Sequence, residues 1–166
     1  MAKKKANKQI NTIVAFVAAL LGLAAICMMF LPAVGVKDTD TTYTGMQVTF
    51  GYAQSFIFGE TQVFYFSFMN MLTYILALVG VVFSILAALG KGSKFANFIA
   101  AAAFVVAGVF FFLTVQYIKF NDTASKAFNF FGGDAKNMFT LAYGAIVGGV
   151  LAFVAALANL VKLVIK

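Results

Sequence analysis

Long apolar windows alternate with short charged segments along this chain. Charged residues are absent from four windows, which are Gln9–Val36, Thr61–Gly90, Phe95–Ile118 and Asn137–Val161. A helix crosses the hydrocarbon core of a bilayer in about 20 residues, so each window is long enough. Closed barrels also span membranes, but their strands alternate polar and apolar residues, which these runs do not. The pattern therefore predicts an all-α membrane protein, a four-helix transmembrane bundle. The spans are expected at about 11–31, 66–89, 95–118 and 139–161.

The first outer loop, at about 32–65, has the pattern of a small sheet. Residues Tyr43–Phe50 alternate apolar and polar positions and predict a strand. Residues Ser55–Phe58 and Thr61–Phe64 predict a β-hairpin with Gly59–Glu60 as a type II′ turn. The expected product is a small β-hairpin or sheet that rests on the helix ends. The alternative is an irregular loop held by aromatic side chains at the headgroup level.

The second outer loop, at about 119–138, is shorter and rich in aromatic residues. Its phenylalanines are Phe120, Phe128, Phe130 and Phe131. We expect them to pack against the first loop; a membrane-interface anchor and a partner-facing patch are the alternatives. Asn121-Asp122-Thr123 also matches the N-glycosylation sequon.

Composition narrows the class of protein. The AVILMFWYC fraction is 63% and the charged fraction is 10%, whereas soluble domains average about 45–50% and about 25%. So few charges cannot cover a water-soluble enzyme, and so apolar a chain is not disordered. The chain has no His and one Cys, so it lacks the usual ligands and nucleophiles of zinc, haem, thiol and triad sites. We therefore expect no cofactor, no metal and no enzymatic activity.

The lysines predict the orientation. Eight lie in the two termini and the turn between the second and third spans, which hold no acid. Four Lys and all five acids lie in the outer loops. The positive-inside rule places both termini and the 91–94 turn in the cytoplasm. The net charge of +7 therefore reflects the orientation of the chain in the membrane. The expected partner is a lipid bilayer, and no nucleic-acid partner is expected.

A secretory signal peptide is the rival interpretation of the first window. The lysine-rich start and the small residues Ala33-Val34-Gly35 suit a signal peptide and its cleavage site. The apolar run exceeds the 7–15 residues of such a segment, which favours a retained helix.

The layout resembles that of the claudin-type four-helix membrane proteins. Short inner tails, a strand-bearing first outer loop, a tight inner turn and a smaller second outer loop carry this resemblance. The claudin motif of Gly-Leu-Trp has only Gly45-Met46-Gln47 as its nearest counterpart, and the pair of loop cysteines has none. The resemblance therefore implies the fold and not a barrier function. Lysine as the only basic residue and outer loops without cysteine are as typical of a small bacterial inner-membrane protein.

Uncharged polar residues near the outer ends of the spans form one candidate site. Its members are Asn70, Thr73, Tyr74, Gln116 and Tyr143. Together they predict an outer polar layer, either a vestibule for a small ligand or lipid headgroup or a set of interhelical hydrogen bonds.

No span contains an ionisable residue away from its ends, which argues against ion-coupled transport. Cys27 is expected to be a small apolar filler.

Small residues in the fourth span form a second candidate. One row contains Gly144, Gly148 and Ala152, and the neighbouring row contains Ala145 and Gly149. Such rows allow helix backbones to approach closely in lipid. Most such rows hold the helices of one chain together, but two adjacent rows exceed what one contact requires. The two alternatives are that both rows pack within the chain and that one of them faces a partner. That partner is a second copy of the chain or another membrane protein.

These observations favour a small, non-enzymatic integral membrane protein with a structural, assembly or partner-binding role. The alternative is a pore, a transporter component or a lipid-binding accessory subunit that uses the outer polar layer.

Overall fold

Four long helices dominate the fold. The computed structural model describes residues 2–56, 59–91, 93–121 and 135–164. The long helices are α1 (Ala2–Cys27), α3 (Phe68–Ala88), α4 (Ser93–Phe112) and α5 (Tyr143–Val164), with a short α2 (Gly45–Phe50) between the first two. Each long helix contains a segment long and apolar enough to cross a membrane. The prediction of four such helices together with small sheets is confirmed.

The helices form a closed ring of antiparallel neighbours. Helix α1 packs on α3 and α5, and α4 packs on the same two from the opposite side. The centre holds mostly alanine and glycine, with the Phe104 ring as the largest fully buried side chain at mid-height. A Cβ atom added at Gly22 or Gly80 would lie 2.5 or 2.7 Å from that ring. The two glycines therefore make the space that this phenylalanine fills.

Several helix ends differ from the predicted spans. Helix α1 is followed by a 3₁₀ turn at Met28–Phe30, and α4 by one at Thr114–Tyr117. Helix α5 begins only at Tyr143, since residues Phe139–Leu141 form a strand. These segments leave the helix because their backbone groups pair above the bundle instead; the amide of Ala142, for example, donates to the carbonyl of Ala33 at 2.9 Å.

Two three-stranded antiparallel sheets cover one end of the bundle. Their strands are β1 (Pro32–Val36), β2 (Thr42–Thr44), β3 (Tyr52–Phe56), β4 (Gly59–Tyr65), β5 (Lys119–Phe120) and β6 (Phe139–Leu141). The first sheet has the order β2-β1-β6 and the second the order β3-β4-β5. Each sheet thus takes its last strand from the segment between α4 and α5. We call residues 32–66, 114–121 and 135–142 the cap, and the opposite end of the bundle, near Lys91 and Lys162, the lysine end.

The predicted strand over Tyr43–Phe50 is wrong for most of its length. Only Tyr43 and Thr44 belong to β2, and α2 follows at once. The Thr44 hydroxyl accepts from the Gln47 amide at 3.2 Å, and the Gln47 side chain accepts from the Thr44 amide at 2.9 Å. This capping box satisfies the free donors of a helix start and outweighs the two-residue alternation.

The predicted hairpin forms, but its turn lies elsewhere. Gly59 pairs with Phe56 and Glu60 pairs with Ser55, so both residues of the expected turn belong to β4. The connection falls at 57–58, outside the described residues.

Large apolar and aromatic side chains fill the interior of the cap. Phe64 is fully buried there, and its ring lies 4.7 Å from Tyr43, 5.8 Å from Phe120 and 5.8 Å from Phe139. Phe120 therefore packs on the first loop as expected. The other loop phenylalanines, Phe128, Phe130 and Phe131, lie outside the described residues, as do Asp122 and Thr123 of the sequon.

Candidate functional site

Both small-residue rows of α5 are buried against other parts of the same chain. A Cβ atom at Gly144 would lie 2.6 Å from the carbonyl oxygen of Pro32. At Gly148 and Gly149 it would lie 2.8 and 2.6 Å from the rings of Phe111 and Phe112.

The alanines of the two rows have equally little room for a partner. Ala145 and Ala152 are 1% and 0% exposed. The close approach that these small residues permit is thus an approach of α5 to α4 and to the start of β1. A partner on this face stays a prediction, and the described contacts leave no open surface there for one.

The structure divides the predicted outer polar layer into two groups. Asn70 and Thr73 are buried on the inner face of α3, where the Thr73 hydroxyl donates to the carbonyl of Met69 at 3.2 Å. Tyr74 packs edge-on against Phe111, with ring centroids 5.4 Å apart. Gln116 and Tyr143 instead point away from the bundle and are exposed. The five residues therefore do not line one continuous polar surface.

Asn70 and Thr49 form a buried polar site under the cap. Ser67 joins the two, since its backbone amide donates to the Thr49 carbonyl at 2.8 Å and its hydroxyl accepts from the backbone amide of Asn70 at 3.3 Å. The same hydroxyl donates to the Tyr117 carbonyl at 2.6 Å, which ties α3 to the segment after α4.

The polar side-chain atoms of this site lack partners. Asn70 is 2% exposed and Thr49 is 1% exposed. Within the described residues, the oxygen and the nitrogen of the Asn70 carboxamide have no hydrogen-bond partner. The Thr49 hydroxyl has none there either. A buried amide in that state costs about 1–3 kcal/mol. The sequence predicts Asn70 as a candidate site residue. It does not predict Thr49, which lies in the segment expected to be a strand.

The second polar cluster lies at the lysine end, where the sequence pattern predicts no site. The Ser84 hydroxyl of α3 accepts from the Asn159 amide of α5 at 3.0 Å, and both residues are fully buried. One turn further along α5, the Lys162 ammonium donates to the Ala87 carbonyl at 2.8 Å. Lys162 is only 8% exposed, so its charge turns into the bundle.

Two asparagines extend the polar character of this end. Asn97 of α4 is 2% exposed, and its side-chain oxygen has no partner among the described residues. The side-chain oxygen of Asn11 on α1 is in the same state. A signal was present in the sequence: Ser84 and Asn159 share helix faces with the small residues Gly80 and Ala152, which are the faces that pack.

The chemistry of these sites is hydrogen bonding. Across the described residues, no group of three His, Cys, Asp or Glu side chains is placed to hold a metal ion. In the cap, burial and, to a smaller extent, the neighbouring Tyr52 raise the pKa of the Tyr43 phenol above its ordinary value of 10.0. Comparison of the chain with protein families, curated proteins and solved structures finds no match.

Proposed function

We propose that the chain is a four-span integral membrane protein with its bundle in lipid and its cap at the membrane surface. The observation that carries the proposal is the distribution of side-chain size in the bundle. The buried faces consist largely of Ala, Gly, Ser and Asn, and the exposed faces of Ile, Leu, Val and Phe. Examples from the four helices are Leu20 at 65% exposure, Leu78 at 51%, Phe98 at 61% and Leu157 at 59%. Exposing such surfaces to water is unfavourable, whereas hydrocarbon solvates them. In hydrocarbon, close packing of small residues stabilises the association of helices.

The lysine distribution supports a cytoplasmic lysine end and an external cap. A lysine-only basic complement is consistent with the inner membrane of a bacterium. Labelling of engineered cysteines tests this orientation after Cys27 is changed to Ala. Cys27 is exposed and does not fill the interior as predicted. Thr41→Cys in the cap should react with an impermeant maleimide on intact cells, and Lys91→Cys only after permeabilisation. Reaction of Lys91→Cys on intact cells would reverse the topology.

The role that the geometry supports best is assembly or partner binding through the cap. Within the described residues, β3 is paired only with β4, so its other edge offers unpaired backbone groups. The stretch from Thr41 to Gly59 contains no charge. Charged side chains are a common device that blocks pairing at strand edges, and β3 lacks them. An edge of this kind suits the addition of a strand from a second copy or from another membrane protein.

Photo-crosslinking in native membranes tests the role of the β3 edge. A benzoylphenylalanine at the exposed Ala53 should give a discrete crosslinked species, and Ser55→Lys in the same chain should remove it. The same probe at Val150, on the exposed face of α5, is the matched control and should give none. If Ala53 yields no species, or Ser55→Lys leaves it unchanged, the β3 edge is not the binding surface.

The unpartnered amide of Asn70 supports a second candidate function, that of a pore, transporter component or lipid-binding subunit with a polar ligand under the cap. Asn70→Leu separates the two. If the site serves a ligand, the variant should fold at least as stably as wild type, because a costly buried amide is gone, yet lose function. If the site is structural, function and stability should change together. The barrier function of claudin-type proteins is not part of either proposal.

A further inference from the structure

We propose that α2 is an interfacial helix that inserts Met46 and Phe50 into the outer lipid leaflet. This inference rests on the proposed membrane insertion of the bundle. It adds a lipid contact made by the cap itself, outside the four spans.

The two ends of α2 are tied to the ends of two neighbouring long helices. The Gly45 amide donates to the Leu31 carbonyl at 3.2 Å, just beyond α1. The Thr49 carbonyl accepts from the Ser67 amide at 2.8 Å, just before α3. Six residues of helix extend about 9 Å, and packed helices lie about 8–10 Å apart. Helix α2 therefore lies across the gap between α1 and α3, at the level where those helices end.

The side chains of α2 are divided between two faces. Gly45, Val48 and Thr49 are buried against the bundle and the cap. Met46 and Phe50, one helical turn apart, are 45% and 50% exposed. Gln47 is partly buried and is used in the capping box. The exposed face of this helix is thus wholly apolar.

The apolar face of α2 continues the outward faces of the neighbouring helices. Phe66, whose ring centroid lies 6.4 Å from that of Phe50, is 44% exposed. Phe30 beyond α1 is 62% exposed, and Phe68 at the start of α3 is 51% exposed. Exposed apolar side chains at the ends of α1 and α3 therefore continue onto α2.

The opposite part of the cap has the surface expected in water. The turn between β1 and β2 exposes Lys37, Asp38, Thr39, Asp40 and Thr41. Because the two surfaces belong to one small cap, their contrast favours lipid as the occupant of the α2 face. A helix of this kind inserts about 5–10 Å into the boundary between headgroups and acyl chains.

Tryptophan fluorescence can measure this contact, because the chain has no natural Trp. Single-tryptophan variants Phe50→Trp and Met46→Trp would be reconstituted in phosphatidylcholine vesicles that carry bromine either near the ester end or near the middle of the acyl chains. Leu78→Trp, at the centre of α3, is the lipid-facing control, and Thr41→Trp in the exposed turn is the water-facing control.

Phe50→Trp and Met46→Trp should lose emission in brominated lipid, more with shallow than with deep bromine, and acrylamide should quench them weakly. Leu78→Trp should show the reverse depth preference, and Thr41→Trp should respond to acrylamide alone. Acrylamide quenching without bromine quenching at both α2 positions would place the helix in water and overturn the inference. Protection from both quenchers would indicate a second copy on this face and would overturn it too. Failure of Leu78→Trp to respond to bromine would instead reject the membrane insertion of the bundle.

Discussion

The bundle and the cap of this protein have opposite interiors. In the bundle, mostly alanine and glycine lie inside, around the rings of Phe104 and Phe111, and large apolar side chains lie outside. In the cap, Val34, Val48 and Phe64 lie inside with further aromatic rings around them, and charged or hydroxyl side chains occupy the β1–β2 turn.

With the bundle inserted in a bilayer, as proposed above, the difference follows from two solvents. Water drives large apolar groups into an interior because their surface is costly to hydrate. Lipid provides no such drive between helices, so the closest packing, which small residues allow, becomes the favoured interior. One chain of 166 residues thus contains two kinds of core, joined where α1, α3, α4 and α5 meet the sheets.

The largest expected effect comes from removing the central ring of the cap. Phe64→Ala should lower the free energy of unfolding by about 3–5 kcal/mol, because a fully buried ring is replaced by a cavity. Chemical unfolding in detergent micelles, followed by the near-ultraviolet signal of the tyrosines, measures it. Phe95→Ala on α4, where the ring is 71% exposed, is the matched control and should change stability by less than about 0.5 kcal/mol. Equal losses would mean that the cap has no core of the kind described.

A smaller effect is expected from overfilling the bundle. Gly80→Leu places its Cβ atom 2.7 Å from the Phe104 ring, which should cost about 1–3 kcal/mol of stability. Ala102→Leu on the exposed face of α4 also introduces a leucine, but on the outer surface of the bundle. Thermal unfolding in micelles should show a clear loss for the first variant and almost none for the second. A loss of similar size in both would remove the distinction between the inner and outer faces.

The hydrogen bond at the lysine end should contribute less. A double-mutant cycle with Ser84→Ala and Asn159→Ala should give a coupling of about 0.6 kcal/mol. The value is small because each side chain keeps a second partner, the Gly80 carbonyl for Ser84 and the Ala155 carbonyl for Asn159. Ser84→Ala combined with Thr73→Ala, which lies three turns away, is the control and should show no coupling.

The smallest effect concerns the ionisation of Tyr43. Its pKa is raised in the folded cap above the unfolded value of 10.0. The stability that this provides is therefore complete below the unfolded pKa and is lost as the pH rises through the folded pKa. The difference in tyrosinate absorbance between wild type and Tyr43→Phe should show a phenol that titrates above the ordinary range. A difference spectrum that titrates at the ordinary value would show that the cap does not bury this ring.

The sequence was sufficient for the helices because the length of an apolar window is a local property. It was insufficient for the sheets, since β1 pairs with β6 through partners such as Gly35 and Thr140, which are far apart in the chain. The alternation over Tyr43–Phe50 failed as a strand signal because the Thr44–Gln47 capping box favours a helix start.

The candidate residues were partly predictable for the same reason. Asn70 and Thr73, three residues apart in one regular helix, do share the inner face of α3. Gln116 was expected to continue the face of a longer helix, but α4 ends at Phe112 and the 3₁₀ turn changes the period. The sequence does not distinguish the inner face of α5 from its outer face, because both faces are apolar. Which face is buried depends on the helices and strands that pack against α5.

The proposed insertion requires that the exposed side chains of the bundle meet lipid and that those of the β1–β2 turn of the cap meet water. Spin labels on Leu78→Cys, Val154→Cys and Thr41→Cys, in a Cys27→Ala chain reconstituted in vesicles, test it through collisions with oxygen and with a water-soluble nickel chelate. The labels at Leu78 and Val154 should collide mainly with oxygen and the label at Thr41 mainly with the chelate. Chelate collisions at Leu78 and Val154 as frequent as those at Thr41 would contradict it.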